Sequence, residues 1–476
     1  MEKFTEILEK IDGWVWGIPL IVLILATGIW LTIRLRLLQV RKLPQALKYM
    51  FQNEEGGEGE VTSFGALCTA LSATIGTGNI VGVATATGIL AGGPGALFWM
   101  WIAAFFGMAT KYTEGFLAVK YRKIDEKGRV LGGPFYYIEN GMGRKWKPLA
   151  KMFALFGVLS GLLGIGTFTQ VNGIATAVHS FFDPTDANVV SIFGTEYSLS
   201  IVITAFVLAF VVGLVVIGGI KRISKVSEVV VPFMAVLYIV AVLTLIIVNI
   251  GKLPGAVGLV ISSAFGGKAI AGGAVGGTAI FAAMQSGIAR GIFSNEAGLG
   301  SAPIAAAAAK TKDPVRQGLV TMTGTFIDTI IVCTLTGLAI VMMGSWSDSG
   351  LAGVEITTDA FQKGLHFLPE RVSAFILMLC LVFFAFTTIL GWNYYSEKCL
   401  EYLTGGKRAV VKIFRVLYIA AVFLGPYMTV AAVWTMADIF NGLMAIPNVI
   451  ALLALSGVVA RETRARKRNK SKEEFC

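Results

Sequence analysis

LSATIGTGNIVGVATAT, residues 71–87, lies inside an apolar run from about 64 to 90. A helix of that length crosses the roughly 30 Å hydrocarbon core of a bilayer at about 1.5 Å per residue. Its middle, from Ile75 to Asn79, holds two glycines, a threonine and an asparagine where a spanning helix should be most regular. Glycine costs about 1 kcal/mol relative to alanine in a helix interior, so Gly76 and Gly78 mark the expected break. Broken backbone at that depth exposes amides and carbonyls that lipid does not satisfy. Such a break persists where protein, water, ions or a polar solute meet those groups. The segment is therefore read as half of a solute and cation site at the bilayer midplane.

The composition agrees with a chain that crosses the membrane many times. Of 476 residues, 55% are apolar and 14% charged, and the mean hydropathy is +0.74. A net charge of +11 would suit a nucleic-acid partner, but the placement of the charges argues against one. Of the 40 Lys and Arg residues, 32 fall in alternate inter-span loops and in the tail after residue 460. Six lie on the other side (Lys3, Lys10, Lys252, Lys268, Lys363 and Arg371), and Lys111 and Arg290 sit within or at the end of spans. That asymmetry predicts a multi-pass protein of the inner (plasma) membrane, amino terminus outside and carboxyl terminus cytoplasmic. The first apolar run, 15–35, is too long for a signal-peptide core and follows an acidic flank, so it reads as a retained helix. The five cysteines show no CxxC spacing and read as reduced core residues.

The pattern predicts an all-α protein with 11 transmembrane helices at about 15–35, 64–90, 96–119, 152–181, 197–219, 226–249, 273–292, 315–343, 372–400, 410–430 and 434–460. Shorter apolar pieces at 257–265 and 358–367 read as interfacial or re-entrant. Span 7 is rich in Gly and Ala, with a polar cluster at Gln285-Ser286-Gly287 taken as its break, and 294–309 follows as a second half-helix. Spans 2 and 7 stand five spans apart, so corresponding elements enter the membrane from opposite sides. This is a 5+5 inverted repeat of spans 2–6 and 7–11. The expected divisions are 1–60 (outer terminus, accessory helix and loop), 61–250 and 251–460 (the repeats), and 461–476 (a basic tail).

Three segments resemble one family. Residues 92–107, GGPGALFWMWIAAFFG, are similar to the signature of the sodium:alanine/glycine symporters. ATIGTGNIVGVATA (73–86) and SGIARGIFSNEAGLGSAP (286–303) fit the same family. The resemblance runs over nearly the whole chain. It implies the leucine-transporter type of fold and uptake of a small neutral amino acid with Na⁺; alanine or glycine is the expected substrate, with glutamine as a further option.

A half-helix that starts after the break offers free N–H groups and a partial positive charge, suited to a carboxylate. Thr77, Gly78 and Asn79 occupy that position. The segment is similar to the GxGN of the wider fold. The same likeness implies a Na⁺ cage of the Ser72, Ile75 and Phe384 carbonyls with the Thr387 and Thr388 hydroxyls, although threonine pairs in such helices also bond back to carbonyls. Phe281, Met284, Gln285 and Gly287 precede or occupy the expected break of span 7, where carbonyls would receive the ammonium group. In span 4, Phe168 and Gln170 are further substrate candidates, as is Trp392 in span 9, about one turn beyond Thr388. For the aromatics, core or lipid packing is the commoner fate.

Intramembrane charges form the coupling and gating set. Lys111 and Glu114 sit one turn apart and are expected to pair with each other or with Glu296 and Arg290 near the cytoplasmic end. Asp328 has no basic residue in its own span; hydrogen bonding to broken span 7, cation binding and proton carrying rank in that order. No feature argues for an enzyme: there is no metal-spacing cluster, and GTGNIVG lacks dinucleotide spacing. Two rivals remain, a proton-coupled transporter using Asp328 and a channel or sensor. The expected partners are the amino acid and membrane lipid. On oligomeric state the sequence is silent, with a monomer as the working expectation.

Overall fold

The computed structural model describes residues 2–473 apart from 53, 55, 127, 193, 194 and 267–275. The expected start of span 7 and Lys268 lie outside the described residues. Helices dominate. An amphipathic helix, α1 (Glu2–Val15), leads into α2 (Ile18–Arg34), then short α3 (Leu38–Arg41) and α4 (Leu43–Met50). Span 2 comprises α5 (Ser63–Thr74), an extended Ile75, a π-turn at Gly78–Gly82 and α6 (Val83–Thr87). Its two halves bend by 52°. At the start of α5 the Thr62 hydroxyl accepts the Gly65 N–H, capping the helix where its first amides lack partners.

Next come α7 (Gly95–Lys120), the one-turn α8 (Pro134–Tyr136), and α9 (Lys147–Leu163) with α10 (Phe168–Phe182). The last pair replaces the single helix expected for span 4. The chain is irregular at 164–167, and that gap sets Gln170 in the first turn of a new helix. After α11 (Leu199–Val216), α12 (Gly219–Val248) and α13 (Leu253–Ala264) comes α14 (Gly276–Asn295), followed by α15 (Ala302–Ala307). Then α16 (Pro314–Thr325) passes through a π-helical stretch at Phe326–Cys333 into α17 (Thr334–Met343). The chain closes with α18 (Val354–Gly364), α19 (Glu370–Thr404), α20 (Arg408–Leu424) and α21 (Val430–Glu473). Two small antiparallel hairpins decorate the loops, β1 (Lys123–Ile124) with β2 (Val130–Leu131) and β3 (Val189–Ile192) with β4 (Thr195–Ser198).

Among the described residues, seven helical units are long and apolar enough to cross a membrane, and the bent α5–α6 pair makes an eighth. The other three expected spans coincide with α2 (17 residues), α7 (26) and α14 (20), which are shorter or less apolar. Small residues draw these into the bundle. A Cβ on Gly287 of α14 would lie 2.2 Å from the Ala96 carbonyl of α7, and one on Gly115 of α7 would lie 2.3 Å from the Thr321 hydroxyl of α16. Close backbone approach of this kind is how membrane helices associate without a hydrophobic drive.

This corrects the expected break of span 7. Gln285, Ser286 and Gly287 lie within continuous helix, and Gly287 serves packing. The chain breaks later, at 296–301, where Glu296 (φ 56°), Gly298 (φ 93°) and Gly300 (φ 85°) all adopt left-handed backbone. A helix does not continue through three such residues.

Candidate functional site

The span 2 break is held by its own Asn79 and by Gln170 of span 4. Asn79 Oδ1 accepts the Gly76 N–H at 2.9 Å, and Gln170 Oε1 accepts the Thr77 N–H at 3.1 Å. Gln170 Nε2 in turn donates to the Ile165 carbonyl at 3.0 Å, inside the span 4 gap. The other end of Asn79 donates to Asp328 Oδ1 at 2.7 Å. Both ends of that side chain are thus engaged within the protein. The Thr77 hydroxyl is fully buried and has no hydrogen-bond partner among the described residues. Buried hydroxyls seldom stay unpaired, so it is the polar group here with most to gain from a solute.

Asp328 joins the two broken spans. Its Oδ2 accepts from Ser294 at 2.9 Å, in the last turn of α14, and from Thr329 at 2.7 Å. Neighbouring Asn295 donates to the Thr329 hydroxyl at 3.0 Å. Three neighbours thus hydrogen-bond the two oxygens of this buried carboxyl group.

Of the proposed cation oxygens, the Ile75 and Phe384 carbonyls and the Thr388 hydroxyl meet at α19. Thr388 donates to the Ile75 carbonyl at 3.2 Å and to the Phe384 carbonyl at 3.0 Å, and Thr387 donates to the same Phe384 carbonyl at 3.0 Å. The bond to Ile75 crosses between spans, which plain back-bonding within a helix does not. Ser72 lies one turn before the break, its hydroxyl 2.8 Å from where a Cβ on Gly391 of α19 would stand. Neutral carbonyl and hydroxyl oxygens suit a small hard cation.

Other sequence candidates fall elsewhere. Phe168 packs with Ala421 and Val433 instead of facing the break. Phe281 is 38% exposed on α14, and Met284 is a partly buried packing residue. Trp392 is fully buried and donates its indole N–H to Glu296 Oε1 at 2.8 Å, anchoring the span 7 break. Glu296 Oε2 accepts from Ser301 at 2.5 Å. Glu114 accepts from Asn448 at 2.7 Å and from the Gly298 N–H at 3.2 Å. Buried Lys111 makes no hydrogen bond or ion pair among the described residues, so the expected pairing with Glu114 or Glu296 is not formed.

Arg290 does not join that group, against expectation. It forms a bidentate pair with Asp438 of α21 at 2.7 and 3.2 Å, and its guanidinium lies 5.4 Å from the Phe293 ring and 5.2 Å from the Trp434 ring. Pairing was decided by reach: Arg290 sits nearly two turns before the break, level with α21 and the amino-terminal helix. A cavity of about 400 Å³, lined by Asp12, Gln285, Ser286, Arg290 and Asp438, opens above the pair. Below it, Phe293 lies against the break: its ring is 3.3 Å from where a Cβ on Gly78 would stand. Asp438 and Ser294 had no motif to announce them. The Gly-x-Gly in EAGLGS, matching that in IGTGN, did signal the true second break.

The chain just before α5 is tied to the chain just after α15. Val61 and Ala309 form a parallel bridge, and Arg122 donates to the Ala309 and Glu58 carbonyls at 2.7 Å each. The one group of metal-type side chains within reach of each other among the described residues, His179, Asp183 and Asp186, lies at the end of α10 and in the turn after it, outside the site.

Asp12 supplies a pH test of the cavity beside Arg290 and Asp438. Burial pushes its carboxyl up to about 7, Asp438 adds to that and Arg290 opposes it. A raised carboxyl pKa means the folded state holds the proton longer, so this group's destabilising contribution grows as pH rises from 3.8 toward 7. Asp12→Asn should therefore leave the melting temperature unchanged at pH 4 and raise it at pH 8. Equal melting curves at pH 8 would contradict the burial of this carboxylate.

Comparison with known proteins places this arrangement. Residues 1–475 match the sodium:alanine symporter family. The chain belongs to that family. It is 47% identical over 471 residues to the sodium/alanine symporter AgcS of Methanococcus maripaludis, covering 97% of each chain. A transporter of Haemophilus influenzae is 54% identical, covering 96% of this chain and 95% of the relative. The probable sodium/glutamine symporter GlnT of Bacillus subtilis is 38% identical, covering 95% and 90%. Among solved structures, MhsT in complex with L-phenylalanine aligns with a TM-score of 0.54 at 16% identity, over 84% of this chain and 90% of that one. This likeness gives the fold, a leucine-transporter type. Members of the family are multi-pass membrane transporters and not enzymes, and amino-acid symport is its activity.

Proposed function

We propose that the protein imports a small neutral amino acid, alanine or glycine first and glutamine second, by symport with Na⁺ and alternating access. The observation that carries this reading is the meeting of the Ile75 carbonyl, freed by the span 2 break, with Thr388 and the Phe384 carbonyl at 3.2 and 3.0 Å. A cation shared by these oxygens ties α19 to the break. It thereby stabilises the backbone that receives the amino acid, and the two affinities rise together. Thr77 and the turn at Gly78 would hold the carboxylate, with Gln170 orienting that turn. The names of AgcS and GlnT support the substrate class.

The same reading takes spans 2–6 and 7–11 as inverted repeats, within residues 61–250 and 251–460. The basic loops are cytoplasmic and the amino terminus outside. The Arg290–Asp438 pair with Phe293 would then form the outer barrier and the Val61–Ala309 bridge the inner one. Counterflow in proteoliposomes with a panel of amino acids, with and without Na⁺, tests the proposal; equal uptake in K⁺ and Na⁺ would sink it.

A narrower test separates the cation from the fold. Thr388→Ala should raise the Na⁺ concentration for half-maximal uptake at least tenfold, since a bond between spans is lost, and Thr388→Ser should restore it. Matching Na⁺ curves for Thr388→Ala and the parent would remove Thr388 from the cage.

A further inference from the structure

A second basic cluster lies among residues that the transport reading does not use. A cavity of about 390 Å³ opens where α2, α3, the start of α16 and the end of α21 meet. Arg34, Arg36, Arg41, Lys42, Arg464 and Arg466 line it, and no carboxylate does among the described residues. Among the described residues, Arg466 alone of these has an acidic partner, Asp313. Arg34 donates to the Ser456 hydroxyl at 3.2 Å, Arg41 to the Leu35 carbonyl at 3.0 Å and Arg464 to the Arg34 carbonyl at 3.1 Å. These bonds orient the guanidinium groups without neutralising them. Arg36 and Lys42 donate no side-chain hydrogen bond among the described residues. Five cations around one cavity repel each other unless an anion lies among them.

The remaining surface says which anion. The back wall is apolar, with Leu35 and Leu319 buried in it. Beside the basic rim, Ile33, Leu37 and Val40 are 66%, 49% and 57% exposed, in the stretch where α2 leaves the bilayer. An anionic headgroup bearing acyl chains satisfies both features; a free inorganic anion satisfies only the first. We propose that this cavity binds the phosphate headgroup of an anionic phospholipid, with its chains along Ile33, Leu37 and Val40. Basic pockets between helices at the membrane interface attract such headgroups through several cations at once. The lipid would bridge the accessory helix α2 to α16 and α21, so it would also hold that helix on the bundle.

The test uses the full chain, purified in detergent, with native mass spectrometry and thermal unfolding as readouts. Phosphatidylglycerol is titrated against phosphatidylcholine and against inorganic phosphate. The expected result is a retained phosphatidylglycerol and a rise in melting temperature that neither of the other two produces. Arg36→Gln with Lys42→Gln should weaken the apparent lipid affinity at least tenfold, because two charges leave while no internal bond is broken. Lys145→Gln with Lys151→Gln removes equal charge from the basic start of α9 and should change it less than twofold. Equal stabilisation by phosphatidylcholine, or an equal effect of the two double variants, would overturn the site. Inorganic phosphate matching the lipid would overturn the lipid in favour of a soluble anion. Should the double variant not fold, Lys42→Gln alone carries the same comparison.

Discussion

Gly76→Ala is expected to cut Na⁺-driven uptake about thirtyfold while leaving a folded chain, since overpacking a closed site costs about 2 kcal/mol and each ~1.4 kcal/mol is tenfold. The Cβ would stand 2.5 Å from the Thr388 hydroxyl and 2.9 Å from Gln170 Oε1. Both neighbours are buried and committed, Thr388 to the Ile75 carbonyl at 3.2 Å and Gln170 to the Thr77 N–H at 3.1 Å. Moving either loosens the proposed cation oxygens or the turn that would receive the carboxylate. Gly82 is the internal control: nothing lies within 4 Å of a Cβ there. Gly82→Ala should transport like the parent. Uptake assays with a Na⁺ titration check both, and near-parental activity for Gly76→Ala would show that the break has slack.

Asp328→Asn should be the more damaging change, with uptake falling about a hundredfold. Bonds to a charged group are worth about 1.5–3 kcal/mol each. Replacing an acceptor oxygen by an NH₂ disturbs Ser294 at 2.9 Å and Thr329 at 2.7 Å together. The variant also loosens Asn79, which bonds Asp328 at 2.7 Å while capping Gly76 at 2.9 Å. If this carboxylate acts as a tie between the two breaks, the loss is the same at pH 6 and pH 8. A variant that keeps its maximum rate and loses only pH dependence would favour the proton-coupled alternative.

The two tests address different parts of one network. Gly76 sits where the span 2 break meets α19 and span 4, and Asp328 where it meets the break in span 7. Neither residue lies at the surface, so a loss of uptake in either reports on the interior and not on access.

The break in span 2 was legible from residues 71–87, because glycines flanking a threonine at membrane depth conflict with a continuous helix whatever surrounds them. The second break was legible in kind but not in place. Gln285-Ser286-Gly287 has the composition of a break, yet Gly287 is spent on a carbonyl of α7 at 2.2 Å from its absent Cβ. EAGLGS takes the left-handed turns instead. Composition alone does not separate a glycine used for approach from one used for conformation.

What the chain determined by itself was whatever depends on local chemistry and on the solvent it must enter: many membrane crossings, charge asymmetry between faces, a broken span 2 and the family signature. What the tertiary structure alone decided was partnership. Arg290 faces Asp438 and not Glu296, Trp392 serves Glu296, and Asn79 is shared between Gly76 and Asp328. Such pairings join residues up to hundreds of positions apart, and they follow from helix rotation and depth, which packing of the whole bundle sets and no short stretch encodes.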